Sequence, residues 1–304
     1  MFKNMKIGQK TIVGFVLVLA FLIVLAFVIL SGLNKITKSV ETSDDQNRLI
    51  KYILEARREE KNYVLRGGKE YIAKVEAWID KMNKQIDETE GTLEEDAGIS
   101  EAVAKYKNAF DQLQNTFGVN KTEVLPVWKE IGAGFNKKIL AIRSLSGAGT
   151  AVSEQAYDVE KCFILHRVAA VYYIGEGTEE NWTAFQSDMA KTKSSVEKLV
   201  SLSNSSPKLK NMASEIDDYV RQYIIQGDIY HKNQINSDLA NETMVTTARK
   251  VQEIANHLRE EEKQIMLSAE HSTKNMTMIF GLIAFVIGIV AMIVINRAVS
   301  GGIK

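Results

Sequence analysis

Two arginines stand where helical spacing surrounds them with apolar residues. Arg58 lies four residues after Leu54 and seven before Leu65; Arg167 lies four after Phe163, four before Val171 and seven before Ile174. Steps of three, four and seven share one face of a helix, so both guanidinium groups are expected to lean toward a core. An unpaired buried charge is costly. Arg167 has no acid at i±3 or i±4, where Phe163, Ile164, Ala170 and Val171 stand. Its partner must come from another helix or from a ligand. A carboxylate ligand fits, because the planar fork binds it bidentately; an inter-helix salt bridge with one of the 38 acidic residues is the competing reading. Arg57 lies one position over, toward Ile50, Ile53 and Val64, and is the alternative core-facing member, although Glu60 offers it a local i,i+3 partner. His166 precedes Arg167 and is either a polar contact or a ligand contact. The pairs Asn62-Tyr63 and Tyr172-Tyr173 follow the arginines and supply either donors or packing.

Other chemistry is thin. The chain has no Gly-x-Ser-x-Gly, His-Glu-x-x-His or phosphate-loop motif. Its four histidines show no metal-ligand spacing, and its single cysteine excludes an internal disulfide and a cysteine zinc site. With 38 basic and 38 acidic residues it lacks the basic stripe that nucleic acid requires. Neither an enzyme nor a cofactor is expected.

The elements that must position these residues are helical. Apolar residues recur at three- and four-residue steps, and only two prolines occur in 304 residues. Residues 11–33 and 276–295 are uncharged apolar stretches, and about 20 helical residues cross a hydrocarbon core of roughly 30 Å. The first is too long for the apolar region of a cleaved signal peptide, about 7–15 residues. Lys3, Lys6 and Lys10 precede the first stretch, and Arg297 and Lys304 follow the second, with no acid beside them. The positive-inside rule then puts 1–10 and 296–304 in the cytoplasm and 34–275 outside it.

Glycine and serine clusters divide 34–275 into six helices, near 34–66, 69–90, 98–145, 150–175, 179–203 and 207–275. Pro126 should kink or restart the third. The two halves repeat at an offset near 109, matching Leu54, Arg58, Leu65 and Gly68 to Phe163, Arg167, Ile174 and Gly177; farther on, at 110, Tyr106, Phe110 and Leu113 match Ile216, Val220 and Tyr223. At 1.5 Å per residue, helices one and two together rise roughly 80 Å and helix three descends roughly 70 Å. This arithmetic suggests an all-α domain of two stacked four-helix bundles. Helices one and four would share the near-membrane bundle, and helices two and five the far one. The junction would fall at Gly67-Gly68 and Gly175 to Gly177. That register places Trp128 at the height of Arg58 and Asn241 at the height of Arg167, so the candidate binding residues are Arg58, Arg167, Arg57, His166, Trp128, Asn241, Tyr63 and Tyr173.

The stretches EARREEKNYVLRGGKEY at 55–71 and HRVAAVYYIGEGTEENW at 166–182, between two membrane spans, resemble the helical bimodular sensor domain of bacterial methyl-accepting chemotaxis receptors. The tail Asn296-Arg297-Ala298-Val299-Ser300 resembles the start of a HAMP linker, without its usual proline. The resemblance implies two stacked four-helix modules in a homodimer of the bacterial inner membrane. The periplasmic domain would bind a small organic acid and drive a cytoplasmic signalling module. The alternative is the input domain of a sensor histidine kinase that recognises a periplasmic binding protein. A periplasm-active reporter fused at Gly147 should be active, and a cytoplasm-active one silent; the reverse pattern would invert the topology.

Overall fold

In a computed structural model, residues 7–89 and 93–300 are described; Lys3, Lys6, Gly91 and Lys304 lie outside them. The described chain is all-α, with no strand. Its elements are α1 (Ile7–Arg66), α2 (Lys69–Glu88), α3 (Leu93–Leu113), two π-helical turns (Gln114–Gly118 and Asn120–Val124), α4 (Leu125–Ser146), α5 (Ala151–Glu176), α6 (Glu179–Leu202), a 3₁₀ turn (Ser203–Ser205) and α7 (Pro207–Ser300). The six expected helices are thus present, with the spans continuous with the first and last. Pro126 does restart the third helix. It occupies the first turn of α4, where its missing N–H costs least, and the π turns precede it.

α1 and α7 are long and apolar enough in their outer portions to cross a membrane. There they run antiparallel, with Phe21 and Phe280 ring centroids 6.4 Å apart. A Cβ on Gly14 would stand 3.5 Å from the Ala291 Cβ, the close approach that small residues permit between membrane helices.

The chain divides into two compact units. One comprises Met1–Glu59, Ile72–Val103 and Ala248–Lys304; the other comprises Glu60–Tyr71 and Ala104–Thr247. In the first, α1 and α2 form an antiparallel hairpin: Tyr52 packs on Trp78 at 5.6 Å, Gln85 donates to Asp45 at 3.0 Å, and Lys74 pairs with Glu59 at 3.8 Å. In the second, α5 and α6 form the hairpin: Tyr173 meets Trp182 at 5.2 Å, and Gln155 donates to Ser195 Oγ at 2.9 Å. Helix one therefore shares a unit with helix two, and helix four with helix five. The expected pairing of one with four and two with five is incorrect. The connections are too short to carry a helix anywhere except back along its predecessor, so the chain turns back after α1 rather than rising through α2.

The repeat holds with its offset corrected to 110. Gly67 and Gly177 both take left-handed backbone, with φ of 71° and 66°, and each N–H donates at 2.8 Å to Tyr63 O or Tyr173 O. They are equivalent helix caps. Gly67-Gly68, in the segment Glu60–Tyr71, and Gly177 both lie inside the second unit, so neither marks the expected junction. The buried face of α1 runs through Leu49, Ile53, Ala56, Glu60 and Tyr63, while Leu54 and Leu65 are exposed. That of α5 runs through Val159, Phe163, His166, Ala170 and Tyr173, while Val171 is exposed. Gly177→Ala should lower the midpoint of thermal unfolding, the left-handed backbone costing a Cβ about 1–2 kcal/mol. Gly177→Asn should cost less. Equal effects would argue against this cap.

Candidate functional site

The second unit has an aromatic core. Thr150 and Thr178 cap its hairpin helices, their hydroxyls accepting from Ser153 N at 3.2 Å and Asn181 N at 3.3 Å. Steps of three and four then aim Phe163, His166, Ala170 and Tyr173 of α5 at Trp182 and Phe185 of α6. Trp128 comes from α4, and Tyr223 and Tyr230 from α7. All are buried. Gly227 on α7 makes the packing possible: a Cβ there would stand 2.5 Å from Phe185 Cζ and 3.2 Å from Trp128 Cζ2.

Within this core, His166 is fully buried, and both ring nitrogens lack a hydrogen-bond partner; so does Trp128 Nε1. Both rings lie against the same two aromatics. Trp128 is 5.7 Å from Phe185 and 5.1 Å from Tyr223, and His166 is 4.5 Å and 5.2 Å from them. Burial pushes His166 down to about 4, against a weaker opposing pull from Asp188. Its imidazole is neutral at pH 7, with one N–H and one lone pair. The indole adds a second N–H. Each unmet buried polar group costs about 1–3 kcal/mol, so the three atoms weaken this core unless they find a partner.

Arg167 is half-buried beside this core. Its Nε stands 3.5 Å from where a Cβ on Gly132 would be, so the glycine admits the guanidinium against α4. Burial pushes the Tyr223 hydroxyl up to about 12, with the charge and hydrogen bond of Arg167 pulling the other way. Arg167 thus has a phenol as partner and keeps further donors. At the tip of the hairpin the Tyr173 hydroxyl bonds His231 Nδ1 at 2.6 Å, and His231 stacks on Trp182 at 4.0 Å.

The other expected site residues separate. Arg58 does not face a core: its side chain is 62% exposed and pairs with Glu55 at 2.5 Å and Glu59 at 3.0 Å. The corrected offset makes Arg57, which is half-buried, the equivalent of Arg167. Trp128 lies beside His166 in the second unit, while Arg58 belongs to the first; α4 runs antiparallel to α7, where the expected register had the two parallel. Asn241 is not beside Arg167, which meets Tyr223 instead; it lines a pocket with Glu60 and Asp238. Tyr63 is buried against Phe110 and Phe117 at 6.0 Å and 5.8 Å. The sequence reading missed Phe185, Tyr223 and Tyr230 as companions of His166. The signal was the repeat: at an offset of 110, Ile53, Ala56, Val75 and Leu113 correspond to Phe163, His166, Phe185 and Tyr223. The first copy packs aliphatic groups where the second packs aromatic and polar ones.

Among the described residues, no group of three or more His, Cys, Asp or Glu side chains could hold a metal ion. No family model matches the chain, and no curated protein matches it.

The depressed His166 has a consequence for stability. The unfolded chain binds a proton near 6.5 and the folded one near 4, so stability is complete above pH 6.5 and falls as pH drops toward 4. The loss should reach about 3 kcal/mol. His166→Phe should abolish this slope in chemical denaturation from pH 7 to 4. An unchanged slope would place the titration elsewhere.

Proposed function

We propose that this chain is the sensory and membrane portion of a bacterial transmembrane receptor, similar to chemotaxis receptors with a helical bimodular sensor domain. Residues 34–275 lie in the periplasm, both ends in the cytoplasm, and the spans in the inner membrane. One observation carries the reading. α7 is a single helix of 94 residues that bears Tyr223 and Tyr230 of the aromatic core and, farther along, the apolar stretch 276–295. A ligand that binds one packing of that core more tightly shifts the population of helix positions. A displacement of one to two ångströms, about the size of known helix shifts, then passes through a continuous hydrogen-bonded rod to a cytoplasmic signalling module.

The ligand is a small organic acid. Arg167, the His166 imidazole and the Trp128 indole offer N–H donors suited to a carboxylate. The receptor works as a homodimer. Exposed Leu54 and Leu65 on α1, and Ile164, Val168 and Val171 on α5, leave apolar surface suited to a second copy. The kinase input domain that recognises a periplasmic binding protein draws less support, since the turns at 147–150 and 203–206 are built of glycine, serine, asparagine and other small residues.

Thermal-shift assays of the full chain in detergent, against small mono- and dicarboxylates, test the reading. At least one acid should raise the melting temperature. Calorimetry on Arg167→Ala should then show affinity lowered roughly 30-fold or more, since removing one partner of a buried charged contact costs about 2–5 kcal/mol. A purely structural Arg167 would instead lower the melting temperature without ligand and leave affinity unchanged. No response to any acid would end the proposal.

A further inference from the structure

A pocket elsewhere in the same unit has electrostatics opposite to those of the aromatic core. Its volume is about 290 Å³, and its walls come from α1, the end of α3, a π turn and α7. Leu113 and Phe117 form an apolar floor. Glu60, Asp238, Lys61 and Asn241 supply the polar groups. Glu60 is 1% exposed and accepts from the Tyr106 hydroxyl at 2.8 Å, so its carboxylate is held in place. Asp238 accepts from Gln234 Nε2 at 3.1 Å. Burial pushes the Asp238 carboxyl up, against the weaker pull of that amide, so it is partly desolvated and gains from a cation. Lys61, one residue after Glu60, adds a single positive charge at the rim.

The backbone is specialised at this point. π turns inside longer helices are frequent at functional sites, and here Gln114–Gly118 carries Phe117 into the pocket wall. Gly118 lies close beneath the Tyr63 hydroxyl: a Cβ there would stand 3.0 Å from it. Pockets for drug-sized ligands begin near 300 Å³, so this one suits a smaller metabolite. Two carboxylates and one ammonium around an apolar floor complement a ligand with the reverse arrangement.

We infer that this pocket binds a small aminocarboxylate, its ammonium toward Glu60 and Asp238 and its carboxylate toward Lys61. The site is independent of the His166 core and of the carboxylate proposed there. Isothermal titration on the full chain in detergent should compare 4-aminobutyrate, butyrate and butylamine, matched in chain length. 4-Aminobutyrate should bind at least tenfold more tightly than either singly charged probe. Asp238→Asn should weaken it about tenfold or more, and Lys61→Ala should weaken it while leaving butylamine unchanged. Glu60→Gln should act like Asp238→Asn; if that buried change unfolds the chain, the exposed Asp238→Asn decides alone. No binding of 4-aminobutyrate, or binding that Asp238→Asn leaves intact, overturns the inference. It is also overturned if Arg167→Ala, and not Asp238→Asn, lowers the affinity, which would put the probe in the aromatic core.

Discussion

Each helix between the two apolar stretches has one buried stripe and must find a partner for it. That requirement, combined with connections of a few residues, forces neighbouring helices to pack antiparallel. The contacts follow the rule in each unit. Along α1 and α2, Asp45 meets Gln85, and Glu59 meets Lys74. Along the π turns, α4 and the antiparallel α7, Thr116 meets Ser237 at 2.7 Å, Asn120 donates to Tyr230 O at 3.1 Å, and Trp128 meets Tyr223. Every position named in the aromatic core and in the pocket is a consequence of that register. A slip of one residue would turn a helix by about 100° and exchange buried for exposed side chains.

The internal repeat then separates packing from specialisation. Tyr63 and Tyr173 are equivalent, as are the glycine caps that follow them, and these positions carry the architecture. Ala56 and His166 are also equivalent and both fully buried, yet one is a methyl group and the other an imidazole without partners. A core built only for stability would not keep three unmet polar atoms in an aromatic box, since apolar replacements of similar shape remove that cost. At this one position the second unit has therefore given up stability that the equivalent alanine of the first keeps. Such a place is where a ligand gains most, because its hydrogen bonds replace none already made.

The aromatic core and the pocket also divide the chemistry by charge. The aromatic core presents N–H donors and a neighbouring guanidinium. The pocket at Glu60 and Asp238 presents carboxylates beside a single lysine. Net charge over the chain is zero, so neither preference could come from the overall field. Both arise from which few side chains burial brings together.

Helical period, the two apolar stretches and the glycine breaks were legible in the amino-acid order because they are local: 3.6 residues per turn, span length and left-handed caps depend on near neighbours alone. The helix boundaries and the restart at Pro126 follow from them. The choice between Arg57 and Arg58 could not be read that way. Both have apolar residues at helical spacing, and only contact with another helix shows which face is buried. The partnership of Trp128 with His166 needed the direction of α4 relative to α5, which depends on whether the chain turns back after α1 or rises through α2. Sequence distances allow either. The buried stripes of α1 and α2 meet only when the chain turns back, and that tertiary fact decided which side chains share a site.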